Sequence, residues 1–137
     1  DMDEYLTNLI SNVIQAFSLD KNINFKVNAH NVSLDVEIAM PCGLIINELL
    51  TNSLKYAFPE EFEETPALDV ELSYENKKIT ILVSDNGIGL PHNFDWENTD
   101  SLGLKLVNFW VKYQLAGSIK LDVKSGTNYI INFTYDR

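Results

Sequence analysis

Glu48, Asn52 and Lys55 stand at helical spacing in the run Leu44-Ile45-Ile46-Asn47-Glu48-Leu49-Leu50-Thr51-Asn52-Ser53-Leu54-Lys55-Tyr56. At about 100° per residue, Asn52 lies about 40° from Glu48, and Lys55 about 20° to its other side. Ile46, Leu50, Leu54 and Ala57 gather on a separate face that suits packing on a sheet. A plain solvent face would favour Glu, Lys, Gln and Ala, and Asn is a poor choice there. A divalent cation with phosphates would want this set. An amide oxygen is a hard ligand for Mg²⁺, a carboxylate one turn earlier can orient or deprotonate a nucleophile, and an ammonium meets phosphate charge. Taken alone, the helix also reads as an ordinary surface stripe.

A second cluster is Val83-Ser84-Asp85-Asn86-Gly87-Ile88-Gly89-Leu90-Pro91. Asn-Gly after a strand is first a hairpin signal, but Pro91-His92-Asn93-Phe94-Asp95 makes no partner strand. Glycines two apart, after an Asp that ends a strand, suit a backbone bent around a ligand. The carboxylate there can accept from an exocyclic amine. Neither a Gly-x-Gly-x-x-Gly fingerprint nor a Walker Lys-Ser/Thr is present. The third cluster, Ser101-Leu102-Gly103-Leu104-Lys105-Leu106-Val107, sits where a helix begins. Free N–H groups and the positive dipole end attract phosphate, Gly103 permits close approach, and Lys105 adds charge. The same residues would serve a helix start with a packing glycine.

The elements that must hold these clusters follow from periodicity. Residues 3–17 place Tyr5, Leu6, Leu9, Ile10, Val13, Ile14 and Phe17 on one helical face. Asn22–Lys26 and Val32–Val36 alternate as two short strands. Pro41 suits the first turn of a helix reaching Phe58, with Pro59 as its stop. The acidic run 60–66 reads as a solvated connector. Strands are expected at 67–75 and 78–84, joined at Glu75-Asn76-Lys77, then an irregular stretch at 92–100. A helix over 101–116 closed by Gly117 precedes strands at 118–124 and 128–135. The order αββαββ-loop-αββ predicts an α+β, two-layer α/β sandwich with a mixed sheet.

The chain has 137 residues, 45% of them hydrophobic, which fits one domain with a real core. Ten Lys and Arg against twenty Asp and Glu give a formal charge of −10. A surface for nucleic acid or anionic membrane needs basic residues, so neither partner is expected. No run approaches the ~20 apolar residues of a membrane span. A lone cysteine, Cys42, among apolar neighbours suits a buried thiol in a reducing, cytoplasmic compartment. The chain opens at Asp1 rather than Met, as a piece cut from a longer protein would.

Together the clusters resemble the nucleotide-binding domain shared by sensor histidine kinases, DNA gyrase, heat-shock chaperone ATPases and mismatch-repair ATPases. Asn47–Tyr56 resembles that family's N box, Asp85–Gly89 its Asp-x-Gly-x-Gly box, and Leu102–Val107 its second glycine box. Gly126-Thr127-Asn128-Tyr129 resembles the Gly-Thr-x-Phe/Tyr start of its last strand. The Asn-Glu-Leu-x-x-Asn form of the N box is most similar to a subclass of bacterial and archaeal histidine kinases. The resemblance covers nearly the whole chain, 1–137. It implies a mixed five-stranded-type sheet covered by three helices, the Bergerat ATP-binding fold.

It further implies that ATP and Mg²⁺ are bound, with Asn52 as the metal ligand and Glu48 as a base or polarising group. Lys55 would touch phosphate and Tyr56 would line the cleft. Asp85 would accept from the adenine amino group, with Thr127 nearby through a water, and Gly87 and Gly89 would bend beneath the base. Residues 91–100 would form a lid, with Leu102, Gly103, Leu104 and Lys105 closing on the phosphates. The implied activity is transfer of the ATP γ-phosphate to a histidine on an upstream dimerisation domain that this chain lacks, with a response-regulator receiver domain next. His30 and His92 have no helical context for the acceptor role. The family pattern has glycine where Ser101 stands, and no separate Phe-rich box stands out, although Phe94 and Trp96 could pack in its place. An ATPase or protein-serine kinase of the same fold, or a non-catalytic nucleotide-dependent module, stand as alternatives.

Overall fold

The computed structural model describes residues 2–17, 23–29, 31–59, 61–89, 102–123 and 126–136. Helix α1 spans Met2–Phe17 and buries Met2, Leu6, Ile10 and Val13. Strand β1 (Asn24–Asn28) follows, then helix α2 (Val36–Asn52), which continues as a π-helical turn over Ser53–Ala57. Strands β2 (Ala67–Glu75) and β3 (Lys78–Asp85) form a hairpin whose Asn76 and Lys77 both have positive φ, at 54° and 61°. That pair matches the I′ geometry that right-twisted strands prefer. Helix α3 (Leu102–Phe109) likewise runs into a π turn, Trp110–Gln114, before strands β4 (Ser118–Asp122) and β5 (Thr127–Thr134).

The five strands form one mixed sheet in the order β1-β2-β3-β5-β4, parallel between β1 and β2 and antiparallel elsewhere. The three helices lie against one face, so the expected α+β two-layer sandwich is the fold observed. Alternation decides what that face carries. Leu68, Val70 and Leu72 of β2, Ile79, Ile81 and Val83 of β3, and Ile131 and Phe133 of β5 are buried beneath the helices. In the same phase, β3 ends on Asp85 and β5 begins on Thr127, and the two are paired across the strands. The pleat therefore turns a carboxylate and a hydroxyl inward at one end of an apolar layer.

Two expectations about the region before α2 were wrong. The predicted strand at Val32–Val36 does not form, and the helix starts at Val36 rather than Pro41. Five alternating residues also fit the entry to a helix, and the buried or half-buried set Ile38, Cys42, Ile45, Ile46 and Leu49 extends helical periodicity upstream of Pro41. Asp35 opens the helix through its main chain. Its carbonyl accepts from Ile38 and Ala39 at 2.9 and 2.7 Å, and its N–H donates to the Tyr135 hydroxyl at 3.0 Å. Pro41 thus lies inside α2, where it supplies no N–H to the helix ladder. The expected helix over 101–116 is an α-helix only to Phe109, and the strand expected over 118–124 stops at Asp122.

Candidate functional site

A cavity of about 190 Å³ opens where the end of α2 passes the inward end of the sheet. It is lined by Asn52, Ser53, Tyr56, Ala57, Asp85, Gly89, Leu104, Thr127 and Tyr129. Ser53 and Ala57 follow Leu49 and Leu50 on the buried side of the helix, and Asn52 and Tyr56 flank them at the rim. The π turn packs less tightly than an α turn and is a form found often at functional sites.

At the base of the cavity Asp85 is only 5% exposed, yet it accepts hydrogen bonds from more than one direction. The Ser53 hydroxyl donates to Oδ2 at 2.6 Å. The N–H groups of Gly87 and Thr127 donate to Oδ1 at 2.9 and 3.2 Å. A buried carboxylate is tolerated only with such donors. Tyr129, one pleat along β5 from Thr127, is buried beside it. Its phenol is pushed up to about 12, first by burial and then by the negative charge of Asp85.

The backbone beyond Asp85 does not turn as a hairpin. The Asn86 side chain accepts from the Ala67 N–H at 2.8 Å and donates to the Thr65 carbonyl at 3.0 Å, which fastens the loop to the start of β2. Gly87 is pressed against the π turn, where an added Cβ would collide with the Cβ and carbonyl oxygen of Ala57. Gly126 has φ +89°, and a side chain there would enter the Asp85 carbonyl. Each glycine permits an approach that a Cβ would forbid.

Of the residues singled out from sequence, the cavity gathers Asn52, Tyr56, Asp85, Gly89, Leu104 and Thr127. Gly87 braces the wall from behind. Glu48 is half-buried one turn before Asn52 and does not line the cavity. Lys55, Leu102 and Lys105 are exposed, and Gly103 is half-buried beside Leu104. His30, His92, the lid residues 91–100 with Phe94 and Trp96, and Ser101 lie outside the described residues. Sequence reasoning missed Ser53, Ala57 and Tyr129 in this role. Tyr129 was within a recognised motif, and a serine on an apolar helix face was the available sign of Ser53.

A larger cavity of about 320 Å³ lies at the opposite end of the sheet, against Asn31, Val32, Ser33, Tyr74 and Tyr135. Its two phenols are engaged with the protein: Tyr74 donates to the Tyr135 carbonyl, and the Tyr135 hydroxyl accepts from Asp35. Among the described residues, no group of three or more His, Cys, Asp or Glu could cage a metal ion. Mg²⁺ takes as few as one or two protein oxygens and completes its shell with phosphate and water. Asn52 offers such an oxygen at the cavity rim.

A helix layer thus lies on a mixed sheet, open where one helix loosens beside paired strand ends. Residues 37–137 match the family described as histidine kinase-, DNA gyrase B- and HSP90-like ATPase, and the chain belongs to it, as its ATP-binding catalytic part. It is 32% identical over 110 residues to the blue-light-activated histidine kinase 2 of Erythrobacter litoralis, covering 80% of this chain and 31% of that protein. It is 29% identical over 140 residues to the sensor histidine kinase PdtaS of Mycobacterium tuberculosis, covering all of this chain and 28% of that protein. The solved histidine kinase domain of the Erythrobacter litoralis EL346 kinase superposes with a TM-score of 0.83 at 27% identity, over 96% of this chain and 63% of that one. The chain thus spans under a third of the curated relatives it matches. No helix among the described residues is long and apolar enough to cross a membrane.

Proposed function

We propose that this chain is the catalytic part of a sensor histidine kinase, with the cavity beside Asp85 as its ATP site. The observation that carries this is the buried Asp85 carboxylate, held by Ser53, Gly87 and Thr127 in a largely apolar cavity next to Asn52. Such a carboxylate accepts an amino donor from a flat ligand lodged against Leu104 and Tyr129. Asn52 and one Mg²⁺ would then hold the phosphates at the rim, where the metal supplies charge neutralisation. Lys55, Gly103 and Lys105 would meet phosphate from the exposed side, with Gly89 bending the backbone beneath the base.

Phosphoryl transfer asks the protein chiefly for positioning and electrostatic stabilisation. Glu48, one turn before Asn52, would polarise the attacking nucleophile. The acceptor would be a histidine of a helical dimerisation domain outside this chain, and the next acceptor an aspartate of a receiver domain. The named relatives, all sensor or light-activated histidine kinases, support that reading. The test combines calorimetric titration of this chain with Mg-ATP and transfer of labelled γ-phosphate to a purified histidine-bearing helical domain from the full-length protein. Saturable binding with transfer is expected. Absence of binding would overturn the site, and binding with hydrolysis but no transfer would favour an ATPase.

A further inference from the structure

Asp85 is crowded before any ligand reaches it. An ionised carboxylate has about four lone-pair sites, two on each oxygen. Gly87 and Thr127 fill those of Oδ1, and Ser53 takes one on Oδ2. Counting about four sites, roughly one, on Oδ2, takes no donor among the described residues. The Ser53 bond is 2.6 Å long, in the range of a hydrogen bond to an ionised acceptor. Ser53 is itself buried, in phase with Leu49 and Leu50 on an otherwise apolar helix face. Serine in such a place commonly bonds back to its own helix. Here the hydroxyl reaches across to the sheet instead.

We infer that Ser53 sharpens base specificity: its bond to Oδ2 fixes the carboxylate so that the acceptor site beside it keeps one direction, matched to a purine edge that offers a single amino donor. The inference rests on reading the cavity as a nucleotide-base site. Adenine presents one amino group to a carboxylate. Guanine presents a ring N–H and an amino group side by side, which pair best with both oxygens of one carboxylate. With Oδ1 closed by main-chain donors, that second mode has no room, whether or not Ser53 is present. Ser53 also pins the plane of the carboxylate, so the open site keeps one direction. Its place directly after Asn52 joins base selection to the helix end that would hold the metal.

The test measures the affinities of Mg-ATP and Mg-GTP for the chain and for Ser53→Ala, by competition against a fluorescent adenine nucleotide. The expected result is a loss of about tenfold in ATP affinity with little change for GTP, so that the preference narrows by the same factor. Ser53→Thr, which keeps the hydroxyl, is expected to restore the preference. Equal weakening of both nucleotides would show a purely structural role and overturn the inference, as would an unchanged preference. Should Ser53→Ala prove unstable, Ser53→Cys, with similar volume and a weaker donor, carries the same comparison. Asp85→Asn separates the two levels. If it binds ATP as tightly as the parent chain, the base site itself is misplaced. If it loses ATP while the Ser53 variants keep the parent preference, only the role of Ser53 falls.

Discussion

The Ile88 N–H donates to the Ala57 carbonyl at 3.0 Å, so the loop after β3 is bonded directly to the last residue of the π turn. Gly87 makes that bond possible, because a Cβ at 87 would stand 2.9 Å from the Ala57 carbonyl carbon and closer still to its oxygen. Gly87→Ala should therefore part the loop from the helix. A destabilisation of about 1–3 kcal/mol is expected from forcing atoms into a packed wall. Urea unfolding would measure it, and the same variant should lose nucleotide affinity. Unchanged stability would mean that the wall yields without cost.

Asp85→Asn tests the carboxylate with little change of shape. The amide oxygen can still accept from Gly87 and Thr127, so the fold should survive. Its NH₂ group then meets an amino donor with another donor. ATP affinity should fall about 100-fold or more, given what a hydrogen bond to a charged group contributes and what an unpaired donor costs. Calorimetry at constant Mg²⁺ reads this directly, and retained tight binding would remove Asp85 from the site.

Asn52→Ala, which removes the amide oxygen, separates metal from base. Adenosine, which carries no phosphate, should bind the variant within about threefold of the parent, a change inside the range of surface effects. Phosphate transfer, and the gain in ATP affinity on adding Mg²⁺, should both fall by at least about tenfold if the amide oxygen is the metal ligand. An unaltered Mg²⁺ response would place the cation elsewhere. Glu48→Gln should slow transfer by about 100-fold while leaving ATP affinity in place, as expected of a group that acts on the nucleophile.

Alkaline stability follows from two buried acids. Cys42 is pushed up to about 12 from 9.0 by burial, and Tyr129 to about 12 from 10.0 by burial and by Asp85. Below those ordinary values both groups are neutral in either state, and their packing is fully in force. Above them the unfolded chain releases protons that the folded chain keeps, so stability falls. Each group should contribute a slope of about 1.4 kcal/mol per pH unit, from about 9 for Cys42 and about 10 for Tyr129, until both reach about 12. Unfolding free energies between pH 8 and about 11 would show the break, and Cys42→Ala should flatten its first part.

The legible parts of this fold were those where pattern and chemistry agreed. Long alternating runs gave β2, β3 and β5 nearly to the residue, because each has one buried face. Asp85 stood out because it ends a strand just before two glycines spaced two apart. Val32–Val36 was misread because so short an alternation is shared by strands and by the entry to a helix. Ser53 and Ala57 were passed over because they look like ordinary helix residues until a distant strand end supplies their partner. Nothing local announced the π turns, which depend on how the helix ends pack.

The π turn at Ser53–Ala57 makes this stretch sensitive to length as well as to composition. A π turn is in effect an α-helix with one residue inserted. Deleting one residue between Asn52 and Phe58 would let the turn close to ordinary pitch. The segment before it would stay nearly in phase with the loop that Ala57 anchors, because the wide turn and its extra residue disappear together. Substitutions across 53–57 change one side chain at a time, whereas a single-codon deletion would remove the widened turn that brings Ser53 to Asp85 and Ala57 to Ile88. Variation in this stretch should accordingly run to exchanges of residue, with its count held fixed.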